Sequence, residues 1–266
     1  MTREEILKHL QKIEVQYNVK ILYAVESGSR AWGFSSPDSD WDVRFIYVHP
    51  LNWYLTVNLS RDVIEIMTDE GFDAVGWDIR KALQLYRKTN PTMLEWLRSP
   101  IVYIDNMQLK SVLLSSEIHF FNTKRGIYHY FHVATNHQNR YLEKRGVELK
   151  RFLYYFRSLL ACKWIIKNGT PPPVPFEELV ATMVDDKQIL DSITGLLILK
   201  RKSKEHDKKI VTESLLIYGA KLQKEVESEL SQFVEHKPTL EKDPVLDALL
   251  YNMVTKSETA NYSDLR

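Results

Sequence analysis

The sequence predicts an α+β protein in which a mixed α/β domain is followed by an all-helical domain. Three observations support this fold class. Short apolar runs alternate with turn residues before residue 106, long amphipathic helical patterns dominate after it, and 266 residues are enough for two small domains. We therefore expect an α/β domain over residues 1–105, a helical domain over 106–255 and a loosely ordered tail over 256–266.

The elements of the first domain follow from periodicity and from turn chemistry. Thr2 is a candidate N-cap for an amphipathic helix, and Asp78 is a candidate N-cap for a second helix that Asn90-Pro91 ends. Buried strands are predicted wherever apolar runs lie between turn residues. The expected order is a helix over 2–16, strands over 20–26, 41–49, 63–67 and 72–76, and a helix over 78–89.

The second domain is predicted to consist of long amphipathic helices. Residues 171–175, a proline-rich run, form an extended connector between them. The dense charge run over 200–209 is interpreted as a solvated helix end or a loop. Helices are expected over 107–120, 124–145, 147–167, 185–201 and 212–235.

Composition narrows the class of protein. The hydrophobic and charged fractions, 44% and 27%, are those of a soluble globular protein, and no run approaches the roughly 20 apolar residues of a membrane span. The charged N-terminus lacks the apolar core of a signal peptide, and a single cysteine excludes an internal disulfide. These features predict a cytoplasmic protein without a membrane partner.

Charge is uneven although the net charge is only +1. Residues 122–167 contain ten Lys or Arg against two acids, Glu143 and Glu148. A nucleic-acid strand or polyphosphate would feel such an excess, but on charge alone a set of solvated helix faces is the favoured interpretation.

The chemical signal lies in the segment from Gly28 to Asp42. Gly28-Ser29 follows a predicted strand and opens a helix, so its backbone and hydroxyl can approach phosphate oxygens. Asp40 and Asp42 are two residues apart at the start of the next strand, so both carboxylates face the same side. Such a pair suits a divalent cation such as Mg²⁺. Either element alone would fit an ordinary loop between strands, whereas the combination indicates a catalytic site.

These residues resemble a known family. The spacing of Gly28-Ser29 and Asp40-x-Asp42 is similar to the signature of DNA polymerase β-type nucleotidyltransferases. The strings GSRAWGFSSPDSDWDVRFIYV and GWDIRKALQLYRKTNPTMLEWLRSPIVY resemble a bacterial and phage branch of predicted nucleotidyltransferases associated with RNA-repair gene clusters. The resemblance covers about residues 20–180. It implies a small mixed sheet, a triad of carboxylates, bound Mg²⁺ or Mn²⁺, and transfer of a nucleoside monophosphate from an NTP.

The triad that the resemblance implies needs a third carboxylate on a neighbouring strand. We favour Asp73, which precedes a short apolar run and the helix that Asp78 opens. Glu65, central in another predicted strand, is the alternative, and Asp78 is interpreted as a helix cap. Asp40, Asp42 and Asp73 are therefore the expected catalytic and metal-binding residues.

A second constellation lies on the predicted helix over 147–167. Lys150, Tyr154 and Arg157 are spaced i, i+4 and i+7, which places them on one helix face. The resembling family carries a Lys–aromatic–Arg helix of this kind. The alternative is that these residues form an exposed stripe on the helix surface. Arg80 and Lys81 are weaker candidates for binding the phosphates of a nucleotide. The expected nucleotide-binding residues are Gly28, Ser29, Arg30, Lys150, Tyr154 and Arg157.

Three functional hypotheses follow. The first is an active nucleotidyltransferase that uses an NTP and an acceptor, for which the basic segment favours RNA over a protein or a small molecule. The second is a catalytically silent nucleotide- or RNA-binding module on the same fold. The third is an interaction protein of the toxin–antitoxin type. The base preference and oligomeric state are left open by the sequence.

Overall fold

The strands of the computed structural model form one mixed sheet. The structure describes residues 1–58, 60–142, 149–202, 211–233 and 244–263. The strands are β1 (Lys20–Glu26), β2 (Trp41–Val48), β3 (Val63–Met67), β4 (Phe72–Asp78) and β5 (Val102–Asp105). Their order is β3-β4-β2-β1-β5, in which β2 and β4 are parallel and the other neighbours antiparallel. The predicted α+β class with a mixed sheet is confirmed.

Helices precede, interrupt and follow this sheet. The first part of the chain carries α1 (Arg3–Tyr17), α2 (Gly28–Ala31), α3 (Leu51–Tyr54), α4 (Ile79–Arg87), α5 (Pro91–Leu97) and α6 (Leu109–Ser116). The later part carries α7 (Thr123–Leu142), α8 (Leu149–Asn168), α9 (Phe176–Met183), α10 (Lys187–Lys202), α11 (Glu213–Gln232) and α12 (Pro244–Ser263).

The chain forms two compact units that are discontinuous in sequence. The sheet unit consists of Met1–Ser27, Asp40–Phe120 and α12. The helical unit consists of Gly28–Ser39 and the described residues after Phe120 up to α11. The segment between β1 and β2 is therefore built into the helical unit. The division into domains at residues 105 and 106 stays a prediction.

Local sequence explains the main elements of the sheet unit. Thr2 caps α1 in a capping box with Glu5, and Asp78 caps α4 by accepting from the Arg80 amide. Gly76 lies opposite Phe45, whose ring carbons would stand 2.1 Å from a Cβ at position 76. Only glycine therefore permits this close packing of β4 on β2.

The helical unit is organised around α8, which packs against α7, α9, α10 and α11. Most of α8 is buried, and the core extends into the segment between β1 and β2 through Phe34. The 28–39 segment is also tied by its backbone, because the Phe176 amide donates to the Trp32 carbonyl at 2.9 Å.

Several elements differ from the expectations. β5, α3 and α9 were not predicted, and α12 extends to Ser263 through most of the expected tail. Lys200 corrects the interpretation of the charge run as solvated, because its side chain is buried. Residues 143–148, 203–209, 234–235 and 264–266, which carry parts of the predicted helices, charge run and tail, lie outside the described residues. Over the described ranges, no helix has both the length and the apolarity that a bilayer crossing requires.

Candidate active site

Asp42 and Asp73 meet because β2 and β4 run parallel in register. Asp42 lies directly opposite Asp73 in this pair, so both side chains project from the same face. Both carboxylates are partly buried, and each accepts a hydrogen bond from Arg44. The sheet therefore brings together two acids that are 31 positions apart in the chain.

Arg44 bridges the two carboxylates. Its Nη2 donates to Asp42 Oδ1 at 3.0 Å and to Asp73 Oδ2 at 2.9 Å. Its Nη1 donates to the Asp73 carbonyl at 2.8 Å and to the Val43 carbonyl at 3.1 Å. The guanidinium is thus fixed by two backbone oxygens while it neutralises part of the acidic charge.

Asp42 has a raised pKa. Burial raises its pKa from the ordinary 3.8 to about 6, the Arg44 guanidinium opposes this rise, and the charges of Asp73 and Asp40 add to it. A carboxyl with such a pKa gains from an additional positive charge close by. The electrostatics of the pair therefore favour a bound cation.

Asp40 lies at the entrance of the same strand and is exposed to solvent. A Cβ atom added to Gly71 would lie 3.0 Å from Asp40 Oδ1. The Asp40 side chain therefore lies beside the turn between β3 and β4. Gly71 has φ +79° there and accepts from the Trp41 amide at 2.8 Å. The negative charge of the exposed Asp40 thus helps to raise the pKa of Asp42.

Of the two candidates for the third carboxylate, the geometry favours Asp73. Glu65 lies on β3, which pairs with β4 and not with β2, and it faces Val75 across that ladder. Its side chain is 59% exposed and forms an ion pair with Arg61. Glu65 therefore belongs to the sheet edge rather than to the aspartate pair.

Glu26 is a buried acid that the sequence interpretation missed. Its side chain is fully buried at the end of β1. The Asp42 amide donates to Oε1 at 3.0 Å, and the Tyr103 hydroxyl donates to Oε2 at 2.6 Å. An acid at the end of an otherwise apolar strand was the available signal, because such a group is buried only when it is partnered. Glu26 holds the backbone that carries Asp42.

The donor set fits a hard divalent cation in its chemistry. Carboxylate oxygens on Asp42 and Asp73 face each other, with Asp40 two residues before Asp42 on the chain, and these are the ligands that Mg²⁺ and Mn²⁺ accept. Within the part of the chain that the structure describes, no three His, Cys, Asp or Glu side chains already form a ready ligand set. The pair therefore fits a cation that is bound together with a ligand such as substrate phosphate.

The expected phosphate-binding residues of the 28–39 segment lie in the helical unit. Gly28 adopts φ +58° at the start of α2, a conformation that glycine reaches without strain, and Ser29 is buried directly after it. Arg30 donates from Nη2 to the Ser39 carbonyl at 2.7 Å. Arg30 therefore links the beginning of the 28–39 segment to its last residue.

The structure brings the predicted α8 stripe against the same segment. The Trp32 ring lies 4.6 Å from the Tyr154 ring, edge to face, and 4.3 Å from the Arg157 guanidinium. Arg157 is buried, and its Nη2 lies 3.4 Å from the Val174 carbonyl. Lys150 is half-buried, with its Nζ 5.8 Å from the Tyr154 ring centre. Gly28–Ser39 and Lys150–Arg157 thus form one constellation within the helical unit.

Lys200 is a second residue that the sequence interpretation missed. Its buried Nζ donates to Ser36 Oγ from α10. The Ser36 amide also donates to Ser39 Oγ at 2.9 Å, which closes the turn before Asp40. A lysine inside a charge run offers no local signal of burial, so only tertiary packing reveals this anchor.

The two weaker phosphate candidates have other contacts. Lys81 Nζ donates to Asp62 Oδ1 at 3.0 Å, and the Arg80 guanidinium lies 5.0 Å from the Tyr54 ring centre. Both contacts lie on the sheet unit near the start of α4.

The chain is similar to known proteins over most of its length. A family model described as "RlaP: RNA repair pathway DNA polymerase beta family" matches residues 2–252. The chain is 42% identical over 205 residues to "Uncharacterized protein YcgL" of Bacillus subtilis (strain 168), which covers 77% of this chain and 79% of that protein. The crystal structure of a nucleotidyltransferase-like protein from Exiguobacterium sibiricum 255-15 aligns with a TM-score of 0.31 at 12% identity, over 84% of this chain and 73% of that one.

Proposed function

The chain belongs to the RNA repair pathway DNA polymerase beta family, and from this premise we propose that it is a metal-dependent nucleotidyltransferase. The proposed reaction transfers a nucleoside monophosphate from an NTP to an acceptor and releases pyrophosphate. The observation that carries the proposal is the pairing of Asp42 with Asp73, two partly buried carboxylates in register on parallel strands.

The acidic residues have distinct roles in this proposal. Asp42 and Asp73 supply facing carboxylate oxygens, and Asp40 supplies an exposed one from the end of the pair. Bound Mg²⁺ or Mn²⁺ would supply positive charge to the phosphates and would lower the pKa of an attacking hydroxyl. Glu26 and Tyr103 keep the Asp42 backbone in place and do not contact the nucleotide.

The expected nucleotide-binding residues lie in the helical unit. Gly28, Ser29 and the adjacent amides suit phosphate oxygens. The Lys150 ammonium lies 5.8 Å from the centre of the Tyr154 ring, so a phosphate could bind the ammonium while a base stacks on the ring. Because Arg157 is buried behind Trp32, we assign it to positioning that ring rather than to gripping phosphate.

RNA is the proposed acceptor class. The support is the basic segment over 122–167, of which residues 143–148 lie outside the described part of the chain. Charge attraction of this kind holds a strand by its phosphates and leaves the reacting end free. A protein hydroxyl or a small molecule remains an outcome of the test.

The test is transfer of label from each α-labelled NTP, with Mg²⁺ or Mn²⁺, to total cellular RNA and to total protein. Asp40→Asn and Asp42→Asn should each reduce the rate on the order of a thousandfold, because a lost carboxylate ligand removes several kcal/mol of transition-state stabilisation. Asp69→Asn, an exposed aspartate in the turn before β4, is the matched control and should transfer normally. Wild-type rates in both active-site variants would refute the site.

A second candidate function is a nucleotide- or RNA-binding module without catalysis. The observation that favours it is Arg44, which already neutralises part of the charge of the aspartate pair. Calorimetric titration with NTP separates the two functions. Binding that requires the divalent cation supports the enzyme, whereas equal binding in EDTA supports the module.

A further inference from the structure

Arg44 occupies the contacts that a cation would make with the aspartate pair. Its Nη2 lies 3.0 Å from Asp42 Oδ1 and 2.9 Å from Asp73 Oδ2. We propose that Arg44 is a counter-cation that competes with the divalent cation for these two oxygens. Arg44 would thereby set how tightly the site binds the divalent cation and whether that cation binds alone or together with a phosphate ligand. This inference rests on the proposed metal site and concerns how that site is filled.

The competition follows from charge and from lone pairs. The guanidinium is always positive, so it repels a second cation at short range. Each oxygen that accepts from Nη2 also has one lone pair fewer for a metal ion. A divalent cation must therefore displace the two Nη2 hydrogen bonds or bind beside them with fewer ligands.

Arg44 is anchored independently of the carboxylates. Nη1 donates to the carbonyls of Asp73 and Val43, at 2.8 and 3.1 Å, so these backbone bonds can hold the guanidinium when Nη2 releases the aspartates. The side chain is only 17% exposed, which leaves it little room to swing into solvent. Nη1 thus stays bound to backbone carbonyls, whereas Nη2 can exchange its carboxylate contacts with a metal ion.

The metal-free protein benefits from the same contacts. Asp42 and Asp73 are both partly buried and face each other, and such a pair without a positive partner is destabilising. The acids that contact Arg44 are Asp42, two residues before it on β2, and Asp73 on the neighbouring β4, while Asp40 directly precedes β2. One guanidinium balances only part of this charge, so the pair still attracts a divalent ion that arrives with a phosphate ligand.

The decisive measurement is Mn²⁺ affinity without nucleotide, by calorimetry and by the electron paramagnetic resonance signal of free Mn²⁺. Arg44→Met should bind Mn²⁺ at least about tenfold more tightly than the wild type, since the competing charge is gone. Arg44→Lys should lie between them, because lysine keeps a charge but lacks the fork. Arg98→Met is the matched control: it removes an arginine ion-paired with Glu117 in the same unit and should leave the affinity unchanged.

Thermal unfolding provides the second readout. In EDTA, Arg44→Met should melt below the wild type, and Mn²⁺ should raise its Tm by more degrees than it raises that of the wild type. Arg98→Met should also melt lower in EDTA but should gain no more from Mn²⁺ than the wild type does.

The possible results distinguish failure of the proposed competition from failure of the proposed metal site. Equal or weaker Mn²⁺ binding by Arg44→Met, with binding by the wild type, overturns the competition and leaves the metal site standing. Absence of Mn²⁺ binding in every variant without nucleotide overturns the competition, and absence of Mn²⁺-dependent NTP binding as well overturns the metal site. If Arg44→Met does not fold, Arg44→Lys decides by the same comparison with the wild type.

Discussion

The raised pKa of Asp42 makes a quantitative prediction about stability. The shift from 3.8 to about 6 corresponds to about 3 kcal/mol. Because the folded pKa lies above the unfolded one, the native state binds the proton more tightly between pH 4 and pH 6. Raising the pH through that window removes the proton and destabilises the fold, so the penalty is complete above pH 6 and absent below pH 4.

Asp42→Asn removes this titration, because asparagine stays neutral and can still accept from Arg44. The difference in Tm between the variant and the wild type should therefore become more positive by about 6–12 °C between pH 4 and pH 7.5 for a chain of this size. Thermal unfolding in EDTA, followed by circular dichroism at several pH values, measures the difference. The same variant should be inactive in the labelled-NTP assay.

The pH dependence of groups that do not interact with Asp42 cancels in this difference, since both proteins share them. Asp69→Asn, at an exposed position in the turn before β4, should show a constant difference from the wild type across the range. A constant difference for Asp42→Asn, or one that becomes more negative as the pH rises, would refute the reasoning about the buried pair.

The remaining predictions concern the third carboxylate, the nucleotide contacts and the turn before Asp40. Asp73→Asn should reduce nucleotide transfer about as strongly as the Asp42 change, whereas Glu65→Gln should transfer at the wild-type rate; loss of activity only in the Glu65 variant would reverse the assignment. Lys150→Ala should weaken triphosphate binding about tenfold and monophosphate binding less, and calorimetry showing equal losses would contradict a contact with the outer phosphates. Ser36→Ala should lower the free energy of unfolding by about 1.5–3 kcal/mol, because the buried Lys200 ammonium loses an acceptor, and an unchanged urea midpoint would contradict that role.

Features that depend on near neighbours in the chain were predictable. The bounds of β1 and β3 agree with the predicted 20–26 and 63–67, and the Thr2 and Asp78 caps are present. Caps depend on residues within one helical turn, and these strands on short apolar runs between turn residues, so neighbouring residues determine both. The resemblance seen in the sequence also depends on such a local pattern, Gly28-Ser29 followed by Asp40-x-Asp42.

Short elements without a strong local pattern were not predictable. β5 has four residues, and α9 follows a proline run that was interpreted as a connector alone. Such elements are stabilised by what they pack against: β5 by its ladder with β1, and α9 by its contact with α8. Their sequences carry little of that information.

Within the site, the sequence alone determined that Asp40 and Asp42 are two residues apart at the start of a strand, whereas the shared face of their side chains stays a prediction, because β2 begins only at Trp41. Only the tertiary structure decided that Asp42 faces Asp73, that Arg44 joins them and that Glu26 is buried beneath, since these facts depend on strand order and register between distant segments. Register is a cooperative outcome of burying one face of the sheet against a core, and no local pattern encodes which acid will be opposite which.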